Sequence, residues 1–377
     1  KKPTKYDETY CTKEPRQVHL AAGKDASTGM AISFAVPFNC HPSTYSAAVI
    51  YWLEGDKNEI GRVHKQQSDP NRVRQYNNTP TDLLDEFYVS PHFHHIRIDR
   101  LEPRSRYNYL CVVHMRENEV EPQQFAKKYR SLARSFQTAP SSSTSFSGNF
   151  EFAVLGDSGS GSGGRRTMKL ISKARPSLIL YAGDVAYCAG RGVRWDHWFE
   201  VFEEILSSIP LMPVPGNHDV EPNGVTFELF PNYEPRFAMP QVEDAIIGLG
   251  EKGLTHNPNS WHGIYDYGNA FYSFVAGPAT FIHLNSYTSS KVGSRQYEFL
   301  LQTLQGVDRA KTPWVFVVAH CPLYNPYSKH RHEIQTLMMT EAMEPLFIEY
   351  RVNIVFSGHI HAFSRSKNVA NGKTGTE

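Results

Sequence analysis

Leu178-Ile179-Leu180-Tyr181-Ala182-Gly183-Asp184-Val185-Ala186-Tyr187 begins as a short apolar run and stops at a glycine-aspartate pair. A continuous apolar run of this length, bounded by a turn signal, reads as a strand buried on both faces, the habit of a parallel sheet. A carboxylate placed where such a strand ends, with no capping or hairpin duty in view, calls for a chemical role. Tyr187 follows it closely enough to share that role.

The same pattern recurs from residue 150 onward. Apolar strands at Phe152–Leu155, Leu178–Tyr181, Leu211–Val214, Phe281–Leu284, Trp314–Val318 and Asn353–Phe356 alternate with helical runs at Arg165–Lys173, Trp195–Leu206, Gln296–Leu304 and Thr336–Tyr350. That alternation implies a layered, largely parallel α/β domain. Five of the strands end in metal-competent residues: Gly156-Asp157, Gly183-Asp184, Gly216-Asn217-His218, Ala319-His320 and Gly358-His359-Ile360-His361. Sites in open α/β sheets form at the carboxyl ends of strands, so these termini should converge. The glycines suit a chain that turns sharply beside a ligand. Each member alone is a weak signal, since a strand-end aspartate is more often a cap or turn residue. Together they offer two aspartates, a tyrosine, an asparagine and four histidines, oxygen and imidazole donors suited to hard or borderline cations. That exceeds the needs of one catalytic metal. Two ions roughly 3.5–4 Å apart, bridged by one carboxylate, would use most of the set and favour in-line displacement at phosphorus.

The first third is different. Short β-rich runs at Gln17–Leu20, Met30–Val36, Ala47–Leu53, His94–Ile98 and Tyr107–Val113, with a last strand at Ala133–Thr138, suggest a small antiparallel sandwich. Leu101-Glu102-Pro103 with Tyr107 and Tyr109 resembles the tyrosine corner of fibronectin type III domains. A Ser/Pro/Gly stretch, Ala139–Gly148, is too polar to carry core and reads as a linker. The expected division is an N-terminal domain at 1–140, a linker at 141–149 and a catalytic domain at 150–377. Pro231–Pro240 and Gly248–Gly263 read as loops over one end, and Gly159–Gly164 as a flexible loop lacking the lysine of a phosphate-binding loop. His92, His94 and His95 are expected on the sandwich surface. Cys11, Cys40, Cys111, Cys188 and Cys321 are read as isolated thiols, and Asn77 as a glycosylation candidate in a polar loop. A net charge of +1 offers no electrostatic pull toward nucleic acid or an acidic membrane. No apolar run approaches the roughly 18 residues of a membrane span.

The five strand-end motifs, in this order and with these gaps, resemble those of purple acid phosphatases within the calcineurin-like metallophosphoesterase superfamily. An N-terminal fibronectin-like sandwich ahead of the catalytic domain is the layout of the large plant-type members, and Tyr233-Glu234-Pro235-Arg236-Phe237 resembles a family loop segment. The resemblance implies hydrolysis of phosphate monoesters by in-line attack of a metal-bound hydroxide at a dinuclear centre. That centre holds Fe(III) and a divalent ion (Fe, Zn or Mn). Asp157, Asp184, Tyr187 and His361 match the ligands of the ferric ion; Asp184, Asn217, His320 and His359 match those of the divalent ion. Asn217 and His218 match phosphate contacts, and His330 matches the group that protonates the leaving group, with His332 as its alternative. Small-molecule phosphate esters are the implied partners, with neither nucleic acid nor membrane. The implied location is secreted, extracellular, lysosomal or vacuolar, in a mature chain trimmed of its signal peptide.

Two departures stand out. Plant-type members carry paired histidines where this chain has Lys329-His330, and they continue with further strands where this chain ends, 16 residues after His361. Two other readings compete: a dimanganese or dizinc phosphodiesterase or nucleotidase of the same superfamily, and a catalytically idle phosphate-binding protein. Tyr187 separates the first from an iron enzyme, because a phenolate favours ferric iron.

Overall fold

The structure is a computed structural model that describes residues 14–37, 40–55, 64–69, 73–78, 87–115, 129–143, 148–222, 229–240 and 265–375. In the N-terminal part, β1 (Arg16–Ala22), β2 (Met30–Val36) and β7 (His92–Ile98) form one antiparallel sheet. A second sheet runs β4 (His64–Gln67), β3 (Tyr45–Leu53), β8 (Arg106–Met115) and β9 (Arg134–Gln137), also antiparallel. Val18, Leu20, Ile32 and Phe34 of the first sheet share a core with Val49, Cys111 and Phe136 of the second. This is the expected all-β sandwich, and the Tyr107 hydroxyl accepts the Glu102 N–H at 2.9 Å as a tyrosine corner requires. Strand β4 is exposed throughout and carries no apolar alternation, which is why periodicity misses it. The pair β5 (Asn77–Asn78) and β6 (Tyr88–Val89) escapes because strands of two residues show no period. Asn77 is therefore in a strand rather than a loop, though it is exposed.

The second part is the expected layered α/β domain, built on two sheets. Strands β10 (Phe152–Leu155), β11 (Leu178–Ala182) and β12 (Leu211–Val214) are parallel. Strands β13 (Tyr272–Ala276) and β14 (Ala279–His283) form an antiparallel hairpin, continued in parallel by β15 (Trp314–Ala319) and β16 (Ile354–Ser357). Helices α1 (Ser162–Ala174), α2 (Gly192–Leu206), α3 (Arg295–Gln305) and α4 (Ile334–Glu349) connect them. Helix α2 buries Trp195, Trp198, Phe199, Phe202 and Leu206, one continuous face at helical spacing. Helix α3 starts where the Ser294 side chain accepts the Tyr297 N–H, an ordinary N-cap. Strand β13 is missing from the sequence reading because its Tyr-Ser-Phe-Val-Ala run follows an irregular polar segment. The Gly159–Gly164 loop ends sooner than expected, since Ser162 to Gly164 already form the first turn of α1. No helix among the described residues is long and apolar enough to cross a membrane.

Three expectations are overturned. His92 and His94 are buried, not surface residues. His94 bonds the Tyr45 hydroxyl at 2.9 Å and Ser68 at 3.0 Å, while His95 reaches the Pro235 carbonyl at 2.9 Å. Polar side chains with such partners can occupy a core or an interface. Pro231–Pro240 is likewise no open loop: Tyr233, Arg236, Phe237 and Met239 are fully buried between the sandwich and the α/β part. Cys40 is disulfide-bonded, whereas Cys111, Cys188 and Cys321 are buried free thiols as expected. Cys11 and Gly248–Gly263 lie outside the described residues.

Arg236 ties the parts together. Its guanidinium bonds Asp196 at 3.0 Å, the hydroxyls of Tyr76 and Tyr88 at 2.8 and 2.9 Å, and lies over the rings of Phe93 and Trp195. A buried charge held by this many partners is costly to break from one side. Arg236→Ala is expected to destabilise the chain by about 3–5 kcal/mol, read as a lowered denaturant midpoint.

Candidate metal centre

The ends of β10, β11, β12, β15 and β16 do converge. Asp157 and His359 meet through the His359 N–H, which donates to the Asp157 carboxylate at 2.9 Å and 3.1 Å. The Tyr187 hydroxyl stands 3.3 Å from Asp157 Oδ1 and 2.9 Å from His361 Nε2, and His361 Nε2 lies 3.4 Å from the same Asp157 oxygen. Asp184 lies between this group and a second one. Its Oδ1 accepts the His218 N–H at 2.7 Å, and its Oδ2 is 3.5 Å from His320 Nε2. His320 Nε2 is also 3.0 Å from Asn217 Oδ1 and 3.2 Å from His359 Nδ1. All seven expected ligand positions therefore share one site, with His218 stacked obliquely on Tyr187 at 4.6 Å.

Hydrogen-bond bookkeeping assigns the protons. The Ala182 carbonyl can only accept, so His320 Nδ1, 2.7 Å away, must donate and Nε2 keeps its lone pair. The Glu333 carboxylate, 2.8 Å from His359 Nε2, takes that N–H and leaves the lone pair on His359 Nδ1. Lone pairs of His320, His359, Asn217 and Asp184 thus face one another with no proton among them. That is the shape of a cation site, and the oxygen and imidazole donors fit a hard or borderline metal. Burial first, then the neighbouring His320, pulls His359 down to about 4, which favours the neutral ligand form. Burial raises the carboxyls of Asp157 and Asp184 above their usual range, and burial with those two carboxylates pushes the Tyr187 phenol up. Anionic donors crowded this way need positive charge between them.

The backbone is bent to achieve it. Asp157, Asp184, Tyr187, His330 and His359 all have φ between 52° and 67°, the left-handed region that such residues rarely occupy. A Cβ on Gly216 would overlap the Asp184 carboxylate, and one on Gly183 would overlap the His320 ring. Only glycine lets those strands approach so closely.

Two carboxylates that the sequence reading passed over hold the site in place. Asp219, fully buried, accepts N–H bonds from Gly216 at 2.9 Å and Val185 at 3.1 Å, locking the Asn217 turn to the Asp184 turn. Glu333 bonds His359 with one oxygen and the Nδ1 of His330 with the other. The signal for Glu333 was its i+3 spacing from His330; nothing local marks Asp219 beyond its place in Gly216-Asn217-His218-Asp219. His330 packs against His359 with ring centroids 4.3 Å apart, whereas His332 is exposed and makes no hydrogen bond or ring contact among the described residues. Lys329 is exposed on the same loop.

Residues 150–363 match the calcineurin-like phosphoesterase family. Purple acid phosphatase 23 of Arabidopsis thaliana is 33% identical over 313 residues, covering 75% of this chain and 60% of that protein. Purple acid phosphatase 21 of the same plant is 30% identical over 368 residues, covering 95% of this chain and 68% of that protein. Fe(3+)-Zn(2+) purple acid phosphatase 12, also from that plant, is 27% identical over 366 residues, 95% of this chain and 66% of that protein. The fold superposes on a purple acid phosphatase from yellow lupin seeds with a TM-score of 0.69, 19% identity, and coverage of 92% of this chain and 58% of that one. The chain thus spans about two thirds or less of the length of these relatives.

Losing the partner that fixes a ligand's ring typically weakens metal affinity about 10- to 100-fold. Glu333→Ala is expected to weaken zinc binding by that factor in competition with a chelator, and an unchanged affinity would contradict its role in orienting His359.

Proposed function

The chain belongs to the purple acid phosphatases of the calcineurin-like phosphoesterase family, and from that premise we propose that it hydrolyses small phosphate monoesters at a dinuclear Fe(III)–M(II) centre. Asp157, Asp184, Tyr187 and His361 would hold the ferric ion. Asp184, Asn217, His320 and His359 would hold the divalent one, iron, zinc or manganese, with Asp184 shared. The observation that carries this reading is the proton-free meeting of the His320, His359 and Asn217 lone pairs beside the Asp184 carboxylate, which also touches the phenol side of the cluster. Bound there, the ions supply Lewis acidity that polarises a phosphate ester and acidifies water.

The chain's own residues do the rest. His218 and the Asn217 side chain border the cluster and would bind the phosphoryl oxygens, where charge gathers in the transition state. His330 gives its Nδ1 to Glu333, which leaves Nε2 to carry a proton toward the departing alkoxide. Glu333 fixes the orientation of the ring by accepting from its far side. Lys329, where paired histidines are usual, supplies a point charge for a substrate anion.

We place the protein outside the cytosol, in a secreted or vacuolar location. The disulfide at Cys40 supports this, since such bonds persist in oxidising compartments, and the exposed Asn77 sequon is compatible with it. The division at 1–140, 141–149 and 150–377 belongs to the same proposal. The change from antiparallel to parallel sheets across that stretch supports it.

The purified protein is expected to be coloured and to hydrolyse phenyl phosphate at pH 5. Tyr187→Phe should abolish the visible band, and an unchanged spectrum would favour a dimanganese or dizinc enzyme. An idle protein would show no turnover at all. His330→Ala should lower kcat about 100- to 10,000-fold on alkyl phosphates, and much less on esters whose leaving group needs no proton.

A further inference from the structure

Beside the donor cluster is a cavity of about 470 Å³ that the reaction as described leaves unused. The loop from Ser158 to Gly161, Tyr187, and Arg194 and His197 of α2 make its wall, and no acidic side chain lines it. Arg194 and His197 are three residues apart on one helix, so they project from one face. The Arg194 side chain is exposed, with no hydrogen bond or ion pair to any described residue. Arg165, in the first turn of α1, donates to the Ser160 carbonyl at 2.9 Å and reaches His197 Nε2 at 3.4 Å. A guanidinium can only donate, so His197 accepts at Nε2 and carries its proton on Nδ1. The wall therefore holds an unpaired guanidinium, an imidazole N–H and a second arginine behind it. It also borders the opening turn of α1, whose N-cap Gly161 offers no side-chain acceptor to the first amides.

Tyr187 belongs to both places. Its hydroxyl sits among the candidate metal ligands, and its ring is part of the cavity wall. A substrate with its scissile phosphate at the cluster would have the rest of the molecule next to this basic hollow.

We propose that the cavity is a subsite for a second phosphoryl group, and that Arg194 makes the enzyme prefer phosphate monoesters that carry another phosphate. The inference rests on the phosphatase reading above. A singly phosphorylated substrate leaves Arg194 in water. A bisphosphorylated one gives it a partner with two oxygens to accept its parallel N–H bonds, the pairing for which a planar guanidinium is suited and an ammonium less so.

The test compares kcat/KM for fructose 1,6-bisphosphate with that for phenyl phosphate in the metal-loaded enzyme. A charge-assisted bond of ordinary strength corresponds to about a tenfold change. Arg194→Ala is expected to lower the bisphosphate-to-phenyl phosphate ratio about tenfold, through KM, and Arg194→Lys to restore part of it. Calorimetric binding of propane-1,3-diphosphonate, relative to phenylphosphonate, should weaken by a similar factor in Arg194→Ala. A ratio that stays within about twofold of wild type in both measurements overturns the subsite, as does an equal loss for both ligands. Wild-type protein that turns over neither ester would instead refute the phosphatase reading, while the calorimetric comparison would still decide the subsite.

Discussion

Lone pairs forced together without a proton are the constraint around which this chain is built. His320 and His359 are each held in the neutral tautomer whose free nitrogen points inward, by a backbone carbonyl and by Glu333. Asn217 and Asp184 add oxygens to the same space. Left to itself such a cluster would spread apart or take up protons, and burial raises Asp157 and Asp184 in that direction. It persists because the surrounding structure over-determines it. Left-handed backbone at the key residues, glycines where a Cβ would collide, and the Asp219 clasp between two turns all resist relaxation. Strain of that kind is tolerable where ions return the energy on binding.

The sandwich reaches the site through a chain of contacts. Tyr76 and Tyr88 of the N-terminal part bond Arg236, Arg236 bonds Asp196 of α2, and Tyr88 bonds the same Asp196 at 2.6 Å. The residue just before Asp196 on α2 is Trp195, whose indole N–H donates to Glu221 at 2.7 Å. Glu221 in turn accepts the Gly190 N–H at 2.8 Å, at the end of the segment that holds Tyr187. Gly192 is part of this joint, since a Cβ there would strike the Tyr88 ring. The core makes the same point, because Ala21, Ala22 and Ala31 of the sandwich pack with Leu180, Trp198 and Met212 of the α/β part.

Legibility in the sequence followed physical locality. Buried parallel strands advertise themselves as apolar runs, and their termini placed every candidate ligand, because strand direction alone brings carboxyl ends together. What depended on partners distant in sequence stayed hidden. Nothing local in Asp219 shows which amides it will meet, and nothing local in Glu333 shows that it will also reach His359. His92, His94 and His95 look like an exposed polar run until Tyr45, Ser68 and the Pro235 carbonyl cover them. Pro231–Pro240 looks like a loop until the sandwich closes on Arg236. Cys40 looked isolated because a lone cysteine gives no sign of its bond.

The central claim is that Asp184 joins two cation sites of unlike character, one completed by a phenol and one by an amide and two imidazoles. Anomalous scattering from crystals of the purified protein, recorded on either side of the iron edge, tests it directly. Two ions are expected, about 3.5 Å apart, with the iron on the side of Tyr187 and Asp184 between them. A single ion, or iron on the side of Asn217 and His320 alone, would contradict the account.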